Sequence, residues 1–239
     1  MTVVINPDES DHTATFTVPE SLLVDKSEFF EAACRNEWKE ATSRIIKIPD
    51  VDLDAFYAYM YWVYWEVVAI TSDCRKTLRS AADSEPALND LVELWLLADR
   101  FAETRLRDFT MDALRKVAHS IYSAEKDWTA AFTPAMTAHI CSSTTGGRAL
   151  RRFVVDVFES KVTEANLNGG KESFPPEFLV DLATKLMRMR GGEDNKVWAF
   201  YEAKCHYHEH EENNSLCGES RHRASGDDED LWPYEEEYY

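Results

Sequence analysis

The chain has 239 residues, 44% of them hydrophobic and 12% aromatic, with a formal charge of −18 at pH 7. The apolar content supports a packed core and excludes a chain disordered throughout. The acid excess argues against nucleic acid or an anionic membrane as the main partner, because phosphate surfaces select concentrated Lys and Arg.

In chain order, Thr2 to Ile5 and Thr13 to Val18 read as strands on either side of a turn-rich Asn-Pro-Asp-Glu-Ser-Asp. In the second, Ala14, Phe16 and Val18 alternate with threonines, the period of a half-buried strand. Ser21 to Val24 and Glu28 to Arg35 are short helices, with Ser27 as N-cap of the second. Arg44 to Ile48 is a third strand that Pro49 ends. Leu53 to Trp65 is a helix apolar nearly all round. Phe56, Tyr59, Met60 and Val63 form one stripe, and Tyr57, Tyr61, Tyr64 and Trp65 cover much of the rest. Such a helix needs cover on more than one side, either from later helices of its own chain or from a partner.

Thr71 to Ala87 is polar and turn-rich and reads as a loop. Leu88 to Phe101 and Glu103 to Ala118 form a helical pair, and Asp127 to Ile140 is a weaker helix followed by a loop over Ser142 to Gly147. Ala149 to Val162 is strongly amphipathic, with Leu150, Phe153, Val154, Val157 and Phe158 inward. A helix from Pro176 or Glu177 to Arg190 follows, and Glu193 to Lys204 has the composition of one more. The last stretch carries the acidic runs Asp227 to Asp230 and Glu235 to Glu237, the signature of a solvated tail.

Met1 to Ser10 does not read as a signal peptide, since it lacks both a basic segment and an apolar one. The run Tyr57 to Ile70 is broken by Glu66 and falls short of the roughly 20 apolar residues of a membrane span. Five cysteines, an odd number, then point to reduced thiols in cytoplasm or nucleus.

The order across residues 1 to 120 resembles the BTB/POZ domain, fungal type. The segments that carry the resemblance are Phe16-Thr-Val-Pro-Glu-Ser-Leu-Leu, Lys26-Ser-Glu-Phe-Phe with Ala33, Ile48-Pro-Asp leading to Ala55-Phe56, and Leu97-Ala-Asp-Arg-Phe101. Pro19-Glu20 departs from it, standing where many family members carry His-Lys. The resemblance implies an α+β fold, a three-stranded sheet with helical hairpins, here followed by a helical extension over 121–204, a Cys/His cluster over 205–217 and a disordered acidic tail over 218–239. It also implies a protein–protein interaction module: an adaptor joining a client to a cullin-based ubiquitin ligase, or a homo-oligomerising scaffold without cullin binding. A homodimer is compatible with both.

Trp38-Lys39-Glu40 matches the hydrophobic-x-Glu turn by which some BTB proteins engage cullin. An aromatic can fill an apolar pocket while a carboxylate two residues on meets a cationic rim. The alternative is that Trp38 caps the local core. Near the end, Cys205, His208, His210 and Cys217 are the densest set of soft ligands, suited in type to a structural zinc ion. Their spacing is not that of a zinc finger, so a packed or solvated loop stands beside a zinc-stabilised binding module. There is no Gly-rich phosphate loop and no Gly-x-Ser-x-Gly elbow. The expectation is a protein without catalytic residues.

Overall fold

Val3 and Ile5 are completely buried while their neighbours Thr2 and Val4 are not, which makes the first strand the centre of a one-sided sheet. In this computed structural model, which describes residues 1–8, 13–35, 42–68, 84–123, 132–161, 167, 173–191 and 204–209, that strand is β1 (Thr2–Ile5). It pairs antiparallel with β2 (Ala14–Thr17) and parallel with β3 (Ile45–Ile48), giving the order β2-β1-β3. The registers Val3↔Phe16 and Val3↔Ile46, Ile5↔Ala14 and Ile5↔Ile48 line the apolar residues up on one face. Asn6, at φ 49°, holds the far end of β1. Its side-chain amide donates to the Val51 carbonyl at 2.8 Å and accepts from the Val51 amide at 2.9 Å, as a strand neighbour would.

Between β2 and β3 lie α1 (Glu20–Val24) and α2 (Glu28–Arg35). Ser27 caps α2 as expected, accepting from the Phe30 amide at 3.3 Å. Its hydroxyl also donates to the Phe101 carbonyl at 2.7 Å, tying α2 to the end of a distant helix. After β3 come α3 (Leu53–Trp65), α4 (Ser84–Arg100), α5 (Thr104–Ser123), α6 (Pro134–Ser143), α7 (Ala149–Lys161) and α8 (Pro176–Gly191), then a 3-10 turn at Lys204–Tyr207. The fold is therefore mixed α+β and mostly helical: a small sheet and eight α-helices among the described residues. None of these helices is long and apolar enough to cross a membrane.

α4 is the partition. Leu94, Leu97 and Ala98 join a core made by the inner sheet face, α1, α2 and α3. Leu88, Leu91, Val92 and Trp95, on its other side, join a second core with α5 to α8. The described residues all belong to one compact unit, Met1–Glu209.

Four helix boundaries differ from the sequence reading by two residues or more, one of them the end of α5, which runs to Ser123 rather than Ala118. α4 begins at Ser84 inside the stretch read as a loop, because Pro86 lies in the first turn, where no amide donor is needed. Phe132 and Thr133 are not helical: α6 starts at Pro134, with Thr133 accepting from the Met136 amide at 3.2 Å. That helix also runs on to Ser143, two residues into the expected loop. The helix expected over 193–204 lies outside the described residues except for Lys204, which is in the 3-10 turn.

Candidate interaction surface

Asp52 and Glu66 delimit α3. The Asp52 carboxylate accepts from the Ala55 amide at 2.8 Å, and Glu66 turns into the left-handed region, its amide returning to the Trp62 carbonyl at 2.8 Å. Ala55, Phe56, Ala58, Tyr59, Met60, Trp62 and Val63 are buried. Phe56 and Tyr59 stand around Phe101 with centroids at 6.4 and 5.0 Å, and Phe30 joins it at 5.1 Å. The predicted apolar stripe thus faces its own chain.

The other aromatic residues do not. Tyr57 is 52% exposed, Tyr61 43%, Tyr64 48% and Trp65 68%. Spaced i, i+4, i+7 and i+8, they form a second stripe on the opposite face. Burial beneath later helices of the chain, one of the two explanations open from sequence, does not hold for this face. Tyr57 abuts Phe16 of β2 at 5.3 Å, and Tyr61 meets Trp65 at 6.4 Å. Each ring buries roughly 150–250 Å² when covered. About half exposed, the four present on the order of 400 Å², a size at which a patch on a monomer is commonly a binding site.

A charged group rims the C-terminal end. Glu66 accepts from Lys26 at 2.5 Å and from Arg105 at 3.3 Å. Both cations lie 5.9 Å from the buried Trp62 ring. The Lys26 hydrogen bond, with Arg105 beside it, holds the Glu66 carboxyl below its ordinary range. Close by, burial pushes the Glu103 carboxyl up to about 7, against Lys26 and Arg105, which draw it down. One Glu103 oxygen has no hydrogen-bond partner among the described residues.

Trp38 and Glu40 lie outside the described residues. The Cys/His segment is split. His210 and Cys217 lie outside, Cys205 is exposed, and the His208 imidazole is covered, 3.2 Å from the Asp112 carboxylate. Among the described residues no group of three or more His, Cys, Asp or Glu could hold a metal ion. In the zinc reading, Asp112 would orient the His208 ring from behind, as carboxylates do for zinc-bound histidines.

Two residues that sequence reasoning passed over anchor this segment. Tyr207 is fully buried, its ring 5.2 Å from Phe153 and its hydroxyl donating to Asp156 at 2.9 Å. Glu209 accepts from the Ala149 amide at the start of α7 at 2.9 Å and pairs with Arg107 at 2.8 Å and Arg148 at 3.1 Å. Both arginines also pair with Asp99. Residues 204–209 therefore form a strap across α5 and α7. A lone Tyr and Glu in a polar run carry no periodicity, so no sequence signal could have found them.

A cleft of about 310 Å³ lies between the β3–α3 turn and α4. In its lining His139 meets Glu93 at 2.9 Å, and Arg100 donates to the Pro49 and Asp50 carbonyls. Cys34 and Cys141 are free thiols raised above their ordinary value by burial. Compared with protein-family models, curated proteins and solved structures, the chain matches none.

Proposed function

We propose that this chain is a protein–protein interaction module of BTB/POZ type whose working surface includes the aromatic face of α3. The observation that carries the reading is the second stripe: Tyr57, Tyr61, Tyr64 and Trp65, about half or more exposed on a helix whose other face is fully packed. Tyr and Trp are the residues interfaces favour, combining large apolar area with a polar tip. The element order β1, β2, α1, α2, β3, α3, α4, α5 supports the family assignment. The family's further strand between the third and fourth helices would fall in 69–83, outside the described residues.

In the leading version the module is an adaptor, and Trp38 with Glu40 docks the cullin scaffold. Light scattering after size exclusion, with and without purified cullin N-terminal domain, tests it. Comigration that Trp38→Ala abolishes at unchanged melting temperature supports the adaptor. A self-associated species indifferent to cullin supports the scaffold instead, and a monomer indifferent to cullin supports neither version.

A further inference from the structure

β2 is an edge strand, and its hydrogen-bonding parity can be read from its neighbours. Met1 and Val18 exchange both backbone bonds, each at 3.0 Å. On the other side of β1, the amides of Thr2 and Asn6 reach the carbonyls of Arg44 and Ile48. Odd residues of β1 therefore face β2, and Ala14, Phe16 and Val18 answer them. The backbone groups of Thr15 and Thr17 point away from the sheet, and no described residue hydrogen-bonds them. Natural edges are commonly blunted by shortness, or by a lysine, a proline or a bulge within the strand, and β2 is four residues long. Ala14–Thr17 carries no lysine, proline or bulge, so its outward groups are open along that length.

Resting on the reading of the chain as an interaction module, we infer that this edge accepts an extended cationic segment of a partner protein as an added strand. Alternate side chains of the incoming segment would lie on the inner face against Phe16 and Tyr57, and these must be apolar. The others would stand beside Thr15 and Thr17 on the outer face. Two exposed acids flank the site without a cation partner among the described residues: Asp8, at the β1 end of the hairpin, and Asp54, one turn before Tyr57 on its helix face. Basic residues in the segment complement them, as they complement a chain of charge −18.

A second copy fits less well. Self-pairing would join two chains of the same large negative charge. The exposed aromatic area, on the order of 400 Å², is also half of the roughly 800 Å² per partner that a standard stable interface buries.

The test uses the full chain and a fluorescein-labelled synthetic peptide, Arg-Val-Lys-Val-Lys-Val-Arg, followed by anisotropy and by 15N spectra. A second peptide carries N-methyl groups on alternate amides, and a third has the same composition with the valines in one block. The expected result is saturable binding that weakens with salt and shifts the amides of Thr15 and Thr17. The N-methylated peptide and the Thr15→Pro and Tyr57→Ala chains should each lose at least about tenfold in affinity. Pro is tolerated where an edge N–H faces out, so Thr15→Pro keeps the β1 ladder. The N-methylated peptide decides the matter should that variant fail to fold. Equal binding of all three peptides overturns the strand site, and so does a dimer that Thr15→Pro turns into monomer. No peptide binding with cullin comigration retained removes the strand site alone, whereas loss of both removes the module reading as well.

Discussion

Tyr207→Ala should destabilise the protein more than any change at an exposed aromatic residue of α3, although Tyr207 lies in a polar run of the sequence. The ring is fully buried against Phe153, and Arg115 lies 5.8 Å from its centroid. Removing a buried aromatic ring costs about 3–5 kcal/mol, since the cavity is only partly filled by relaxation. At roughly 2–4 °C per kcal/mol for a chain of this size, the melting temperature should fall by about 6–20 °C. Tyr207→Phe keeps the ring and removes only the hydroxyl bond to Asp156, which still has Lys185 at 3.3 Å and His206 at 3.6 Å. That change should cost about 0.5–1.5 kcal/mol. The assay is thermal unfolding by far-ultraviolet circular dichroism, with limited proteolysis to report whether residues 204–209 detach. A Tyr207→Ala protein melting within about 2 °C of the parent would refute the strap, because a packed ring cannot be removed at so small a cost.

Stability should also depend on pH through Glu103. Its carboxyl titrates at about 7 in the folded protein against 4.5 ordinarily, so the folded state holds a proton that the unfolded chain has released. This contribution is full below pH 4.5, falls as pH rises toward 7 and is gone above it, a loss of at most about 3 kcal/mol. Glu103→Gln should flatten that slope and raise the melting temperature at pH 8; an unchanged profile would mean that Glu103 is not a titrating group of the core. On α3, Tyr61→Ala and Trp65→Ala should stay within about 0.5 kcal/mol of the parent, as exposed positions do. The completely buried Trp62→Ala should cost about 3–5 kcal/mol. Equal losses at Trp62 and Trp65 in urea titrations would show that the outer stripe is covered after all.

Much of the fold was legible because local rules and tertiary packing agree. α2 opens at Ser27, the cap expected from sequence, and α3 spans the expected Leu53 to Trp65, bracketed by Asp52 and the left-handed Glu66. The strands follow their alternation within a residue. α4 was misread at its start, since Pro86 breaks a helix interior but not a first turn. α6 was placed too early because composition alone marks no beginning, whereas the Thr133 cap does.

From the residues alone came the α+β order, the inward face of α3 and the acid excess that directs attention to protein partners. These depend on period, caps and charge, all local quantities. Which side of an aromatic helix is left uncovered is not local. Tyr57, Tyr61, Tyr64 and Trp65 are as apolar in sequence as Phe56 and Trp62, and only the placement of the sheet and α4 separates them. The role of Glu209 likewise needs Arg107 and Arg148, 102 and 61 positions away in sequence, to be brought to one point. Packing alone decides such meetings, because burial rewards whichever surfaces the whole chain can bring together.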